Sequence, residues 1–314
     1  MTRLSAPMKM DFRTKKTEDT VSEQEISAGL VAELRRETGA GMMDCKKALA
    51  ESSGDKAKAL EYLRKKGKAA AEKRADRSAV QGVVVIRVSE DGRSAALVEV
   101  NSETDFVARN ESFCAFAADV ASILLAWKDA VGKSAENLKD QTLPSGVKIG
   151  DALTDLTGKI GEKLVLGKFA RVQAPDGFIG TYVHSDSKLG SMVVLDGVNG
   201  TSTEVQTLGR DLAMQVAAMP PLVVGREDVS ADKIKYERGV EIERARAEGK
   251  PEPAVAKIAE GRINKWLAEV ALMEQAFVKD PKVAIRDLVA AVGKKLGSEI
   301  RVKSFVRVRV GESS

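Results

Sequence analysis

Three carboxylates, Glu99, Glu103 and Asp105, sit close together in the stretch VEVNSETDFVARNESF (residues 98–113). Converging carboxylates are the usual protein ligands of hard divalent cations. Acidic residues around a strand end are more often just solvated, and that is the plainer reading of these three. The same stretch sets Asp105 beside Phe106, flanked by Thr104 and Val107. A buried Phe normally comes with apolar neighbours at helical or strand spacing. This one does not, so it is either incidental to a strand end or the tip of a loop built to enter something else.

Other reactive patterns are thin. The only histidine, His184, has no Ser or Cys beside a second His with which to form an activated nucleophile. A lone His in a hairpin turn reads as surface decoration. The segment GEKLVLGKF (residues 161–169) superficially evokes a phosphate loop, but five residues separate its glycines and Phe169 stands where Ser or Thr is required. Its alternation marks a strand instead. A magnesium-dependent hydrolase using Glu99 and Asp105 therefore lacks a base, a nucleophile and a phosphate loop. Cys45 and Cys114 are the only cysteines and have neither a disulfide framework nor metal spacing, so both read as small buried apolar residues.

The chain that carries these residues has 314 residues, of which 43% are hydrophobic, enough for two or three domains with real cores. Lys and Arg number 50 against 46 Asp and Glu, a net charge of +4 spread thinly. That is not the concentrated basic footprint of a nucleic-acid binder, and no direct nucleic-acid partner is expected. The apolar run VASILLAW (residues 120–127) is far too short to span a membrane. Residues 1–25 lack an apolar core for a secretory signal and read as a disordered extension, which makes the cytoplasm the default compartment.

Residues 26–66 read as a compact helical module. Ser27 is placed to cap AGLVAELRRET, and Gly39 and Gly41 end that helix. MMDCKKALAES makes a second helix with Met42, Cys45, Ala48 and Leu49 inward, and KAKALEYLRKKG (residues 56–67) a third. Adjacent residues on a helix cannot both face one core, so one of Met42 and Met43 is left for a partner. The basic, Ala-rich run RKKGKAAAEKRADR (residues 64–77) reads as a solvated helical tether rather than an RNA-binding patch, because no aromatic side chain is present for stacking.

The centre repeats itself. GVVVIRVSEDGRSAALVEV (residues 82–100) is two alternating strands around Asp91-Gly92, a hairpin signal, followed by the helical ESFCAFAADVASILLA. GFIGTYVHSDSKLGSMVVL (residues 177–195) and EVQTLGRDLAMQVAAM repeat that order. KIGEKLVLGKFARV (residues 159–172) returns as KLGSEIRVKSFVRV (residues 295–308), but at a wider spacing. The extra length is taken up by two charged amphipathic segments around Lys250-Pro251-Glu252-Pro253, an antiparallel hairpin inserted in the second copy. The TDFV tetrad has no counterpart after MVVLDG. What the fold needs, both copies keep; the acid beside the aromatic occurs once.

With these pieces assembled, the chain resembles the bacterial translation elongation factor Ts family. The residues that carry the resemblance are LVAELRRETGAGMMDCKKAL (30–49), VEVNSETDFVARNESF (98–113), KIGE (159–162), GTYVHSDSKLGSMVVL (180–195) and EQAFVKDP (274–281). The resemblance implies an α+β architecture in six parts. They are a disordered extension (1–25), a three-helix domain like ubiquitin-associated domains (26–66), a basic linker (67–80), a core N-subdomain (81–175), a core C-subdomain (176–228 and 271–314) and a coiled-coil insertion (229–270). It also implies a guanine nucleotide exchange factor, not an enzyme in its own right and without a cofactor, whose partner is elongation factor Tu in GDP-bound and nucleotide-free forms. Thr104, Asp105, Phe106 and Val107 would dislodge magnesium from the nucleotide site. Arg35, Met42, Met43, Lys46, Ile160, Gly161, His184, Phe277 and Val278 would make further contacts with Tu. Self-association through the coiled coil or the core stays open.

Overall fold

The computed structural model describes residues 26–198 and 202–312. The extension expected before residue 26 lies outside them. The chain divides into two compact units between Lys65 and Lys66.

The first unit is helical. Helix α1 (Ala28–Thr38) is capped by Ser27, whose Oγ accepts the Leu30 N–H at 3.2 Å, and it ends at Gly39 in the left-handed conformation (φ 66°). Helix α2 (Met42–Glu51) and helix α3 (Lys56–Glu72) follow, and Val31, Leu34, Cys45, Ala48, Leu49 and Ala59 form their core. Lys56 reaches Glu33 and Glu37 of α1 at 2.6 and 2.7 Å. Helix α3 runs on past Gly67 through Ala69-Ala70-Ala71 to Glu72, so the helical tether is continuous with the third helix, as the high helix propensity of that run favours. One departure from expectation stands out. Met42 is not inward: it occupies the first position of α2, and the core closes over Cys45 without it.

The second unit opens with strands β1 (Gln81–Val88) and β2 (Ser94–Ser102), paired antiparallel with Val85 opposite Val98. In the turn between them Asp91 accepts from Ser89 Oγ and the Arg93 N–H, and Gly92 takes φ 69°. Helices α4 (Glu111–Ala126), α5 (Ala135–Lys139) and α6 (Ile149–Ile160) lead to strand β3 (Val165–Gln173), which completes an antiparallel sheet in the order β1-β2-β3.

The design then recurs. Strands β4 (Gly177–Val183) and β5 (Leu189–Asp196) form the second hairpin, followed by helix α7 (Thr203–Ala218). Helices α8 (Ala231–Ala247) and α9 (Glu252–Val270) pack as an antiparallel hairpin, with Gly249 and Pro251 in the connection. A short ribbon of β6 (Ala276–Phe277) and β7 (Asp280–Ala284), helix α10 (Ile285–Leu296) and strand β8 (Arg301–Arg309) end the described chain. The second sheet runs β4-β5-β8.

Period-2 alternation explains the layering. On β2, Ala96, Val98 and Val100 face α4, in a core with Phe113, Ala117 and Val120. Ala95 and Leu97 point the other way, into a layer shared with Ile179, Met192 and Val194 of the second sheet. On β5, Val193 and Leu195 then face α7 beside Leu208 and Leu212. The unit is therefore helix, sheet, sheet, helix, with both central strands buried on both faces.

Helix α7 lies close on β4 because glycines meet at the crossing. A Cβ added to Gly180 would fall 2.1 Å from the carbonyl oxygen of Gly209. A Gly180→Ala variant must push the helix off the sheet, and we expect it to lower stability by about 1–3 kcal/mol, read as a lower urea midpoint with the slope unchanged.

Candidate functional site

The loop after β2 is the centre of the site. Ser102 Oγ donates to the Thr104 carbonyl at 2.9 Å, which turns the chain off the strand. Residues Val107–Arg109 form one turn of 3-10 helix, and Asn110 caps α4 by accepting the Phe113 N–H. Val107 and Ala108 turn into the core under α4. Phe106, just before them, is 83% exposed, the most open of the large apolar side chains among the described residues. Asp105 is half exposed and faces Arg109 at 3.5 Å. The tip thus presents Asp105 and Phe106, while Val107 anchors it from beneath.

A second segment holds this loop in place. Helix α6 ends at Ile160, half-buried against the first core, and Gly161 takes φ 83° as its C-cap. That turn brings Glu162 under the tip. Its Oε2 accepts the Thr104 N–H at 3.0 Å and its Oε1 accepts the Thr104 hydroxyl at 2.7 Å. In return, Glu103 Oε1 accepts the Lys163 N–H at 2.6 Å. Each segment offers a carboxylate to the residue that follows the other's glutamate, a reciprocal clasp. Lys163 Nζ donates to the carbonyls of Ala75 and Arg77, and Arg77 pairs with Glu103 at 3.3 Å. The Lys163 N–H, with the Arg77 guanidinium beside it, holds the Glu103 carboxyl below its ordinary value.

The three carboxylates that opened the sequence question do different jobs. Glu99 is buried, on β2, and accepts backbone N–H groups from Lys168 at 3.1 Å and Gly311 at 3.0 Å, tying β3 and the end of β8 to the sheet. Glu103 belongs to the clasp. Only Asp105 faces outward, so the cluster does not converge on a common point.

The remaining candidate residues fall into two groups. In the helical unit Arg35, Met42, Met43 and Lys46 are all exposed, with Met42 at 56% and Met43 at 74%. In the second unit His184 and Val278 line one shallow hollow of about 370 Å³ with Tyr182, Leu189, Met214 and Lys279. His184 Nδ1 is 3.0 Å from the Tyr182 hydroxyl. Phe277 itself is buried, and its neighbour Val278 is turned out. Two buried amides impose that arrangement. Gln215 of α7 donates to Gln275 and to the Ala276 carbonyl and accepts the Val278 N–H at 2.8 Å. Gln275 donates onward to the carbonyls of Met219 and Glu269. Neither Glu162 nor the Gln215–Gln275 pair stood out in sequence as more than part of a motif or helix; membership of the KIGE motif was the one available signal for Glu162.

The fold and site define an α+β protein that presents an acid and an aromatic on a braced loop. A protein-family model for elongation factor Ts matches residues 103–312, beginning at the clasp. The elongation factor Ts of Chlorobium phaeobacteroides is 45% identical over 290 residues, covering 91% of this chain and 99% of its own. Those of Clostridioides difficile and Rhodospirillum centenum are each 44% identical, covering 91% and 92% of this chain and 93% and 94% of their own. The chain belongs to the elongation factor Ts family of translation elongation factors. Among the described residues no helix is long and apolar enough to cross a membrane.

Replacing Glu162 with Ala removes both acceptors of Thr104. Amide exchange at Thr104 is expected to speed up by about tenfold or more, with exchange in β1 and β2 unchanged. The clasp is also pH-sensitive in a defined direction. A carboxyl depressed by folding contributes fully above its unfolded value, and the contribution is lost as pH falls through the lower folded one. Protection of the Lys163 N–H is therefore expected to hold through mild acid and to be lost only below the ordinary glutamate range, measured as protection factors by NMR.

Proposed function

We propose that this chain is a guanine nucleotide exchange factor for elongation factor Tu, binding the GDP-bound form, disturbing its magnesium and phosphate site, and holding the nucleotide-free form until GTP enters. The observation that carries the reading is Phe106, 83% exposed on a loop whose backbone is fixed by Glu162 and Ser102. A large apolar side chain held out in water on a braced loop is preorganised for burial in a partner, because little freedom is left to lose on docking.

GTPases hold their nucleotide through magnesium and through backbone amides around the phosphates. A factor that binds better to a conformation in which those contacts are misplaced weakens nucleotide affinity. Nucleotide in turn displaces the factor by the same coupling, so the factor catalyses exchange without chemistry of its own. Burying Phe106 supplies about 1.5–3 kcal/mol toward the open conformation. Asp105, restrained by an exposed pair with Arg109, is free to exchange that partner for polar groups beside the metal.

The other contacts follow the exposed faces. In the helical unit, read as a ubiquitin-associated-like domain, Arg35, Met42, Met43 and Lys46 offer two flexible thioethers between cations to the GTPase domain. Ile160 and Gly161 shape the turn beneath the tip. His184, on the second hairpin, is read with the contacts near the tip's target, and Phe277 and Val278 with the segment that suits a more distal domain of Tu. The α8–α9 hairpin is read as the family's coiled coil.

The decisive measurement is release of fluorescent GDP from the Tu of the same organism by stopped flow. Converting Asp105 and Phe106 together to Ala is expected to cut the accelerated rate by about 10- to 100-fold. Stability should stay within about 0.5 kcal/mol, since neither side chain packs in the core. An unaltered release rate would sink the reading.

A further inference from the structure

The end of helix α3 is fastened beside the clasp at two points. From Lys66 on, this helix belongs to the second unit. The first point is a crossing with α6 made by two glycines. A Cβ added to Gly158 would fall 2.9 Å from the Gly67 Cα, closer than real Cβ atoms come, so only residues without side chains let the two backbones touch there. Gly158 lies four residues before Glu162, whose carboxylate holds Thr104. The second point lies just beyond the helix. The Ala75 N–H donates to the Glu72 carbonyl and the Arg77 N–H to that of Arg74, which continues the turns past Glu72. The carbonyls of Ala75 and Arg77 then accept Lys163 Nζ, at 2.5 and 2.8 Å. A cation is favoured at such a helix end.

Three residues from three segments thereby close a ring. Lys163 donates its main-chain N–H to Glu103 Oε1 at 2.6 Å, and its ammonium holds the Arg77 carbonyl. The Arg77 guanidinium returns to Glu103 Oε2 at 3.3 Å. Glu103 precedes Thr104 in the chain and Glu162 precedes Lys163, so the ring and the clasp share one stretch of backbone on each side. Two of the ring's three contacts end on Glu103. The third, ammonium to carbonyl, is the one that can be removed without touching either carboxylate that grips the tip.

Resting on the exchange reading above, we propose that residues 66–77 form a strap that sets the tip, and that Lys163 is a positioning residue of the exchange reaction, latching the strap to the clasp through its ammonium. With the latch closed, Arg77 is kept on Glu103, and the turn that carries Glu162 is tied to the end of α3. With it open, Arg77 is no longer held over Glu103, and the Thr104 main chain gains room to shift. Asp105 and Phe106 must meet the partner's metal site in one orientation, and a displacement of about 1 Å in a positioned group can cost about 100-fold in rate.

Lys163→Met keeps the main-chain N–H and an apolar stem and removes only the ammonium. With fluorescent GDP on the Tu of the same organism, its release rate at saturating chain is expected to fall about tenfold. The half-saturating concentration should stay within about threefold, because the other proposed contacts are unaltered. Amide exchange at Thr104 in the free chain should quicken by about threefold or more, with β4 and β5 unchanged. Lys163→Arg, which still offers several N–H donors to the two carbonyls, should recover both the rate and the protection. A lysine with a merely structural role would lower the urea midpoint and leave the saturating rate of the folded chain intact. If the unaltered chain accelerates release and Lys163→Met matches it at saturation, the proposal falls and the exchange reading stands. If the unaltered chain accelerates nothing, both fall.

Discussion

The contact between the two sheets is the constraint on which the second unit depends. Strands β2 and β5 each lie at the middle of a three-stranded sheet and each have apolar residues on both faces. One face of each is taken by its own helix. The other can be covered only by its counterpart, where Ala95 and Leu97 share a layer with Met192 and Val194. Neither half can bury its central strand alone, so each repeat completes the other's core. The small side chains at Ala95 and Ala96 and the glycine pair at Gly180 and Gly209 set how closely the layers approach.

That stacking leaves the ends of the central strands as the places where the chain can be spent on something other than packing. After β2 the chain makes the tip. Its exposed acid and aromatic are carried by a backbone whose N–H groups and carbonyls are already engaged by Ser102, Glu162 and the short 3-10 turn. On the other half, Gln215 and Gln275 satisfy each other and the surrounding main chain inside the core, which fixes the register of the segment that turns Val278 outward. In both places the hydrogen bonds of the clasp and of the paired amides tie the main chain down, and that rigidifies the surface above them.

The repeats, both hairpins and their helices were legible because period-2 alternation, the Asp91-Gly92 turn and recurring strand sequences are local signals. The outward placement of Phe106 was legible from its polar neighbours. Val107, one residue on, carries no mark of its inward turn, because the 3-10 turn that rotates it is set by the following cap at Asn110. Helical spacing points Met42 inward only if the core reaches the first turn of α2, and it does not. The clasp was out of reach for another reason: Glu162 and Thr104 are far apart in sequence, and nothing in a Gly-Glu-Lys triplet tells which N–H its carboxylate will meet. Glu99 looked like a solvated carboxylate and is instead a buried acceptor for two main-chain amides, since the alternation that places it is interrupted by the irregularity between Val98 and Val100. Short helix α5 left no periodic signal long enough to read, whereas Ile149, Leu153 and Leu156 of α6 do recur at helical spacing.

The clasp has a consequence for how such a protein can change. Because Glu103 and Glu162 grip main-chain N–H groups and one hydroxyl, they specify where the tip is without specifying what Asp105 and Phe106 are. Those two side chains can therefore be exchanged during divergence with little penalty to the scaffold, while Thr104, tied by both backbone and hydroxyl, cannot. On the proposed reading, partner contact and folding therefore rest on separate residues of a single four-residue loop, and the contact surface can be altered at two positions without touching the clasp.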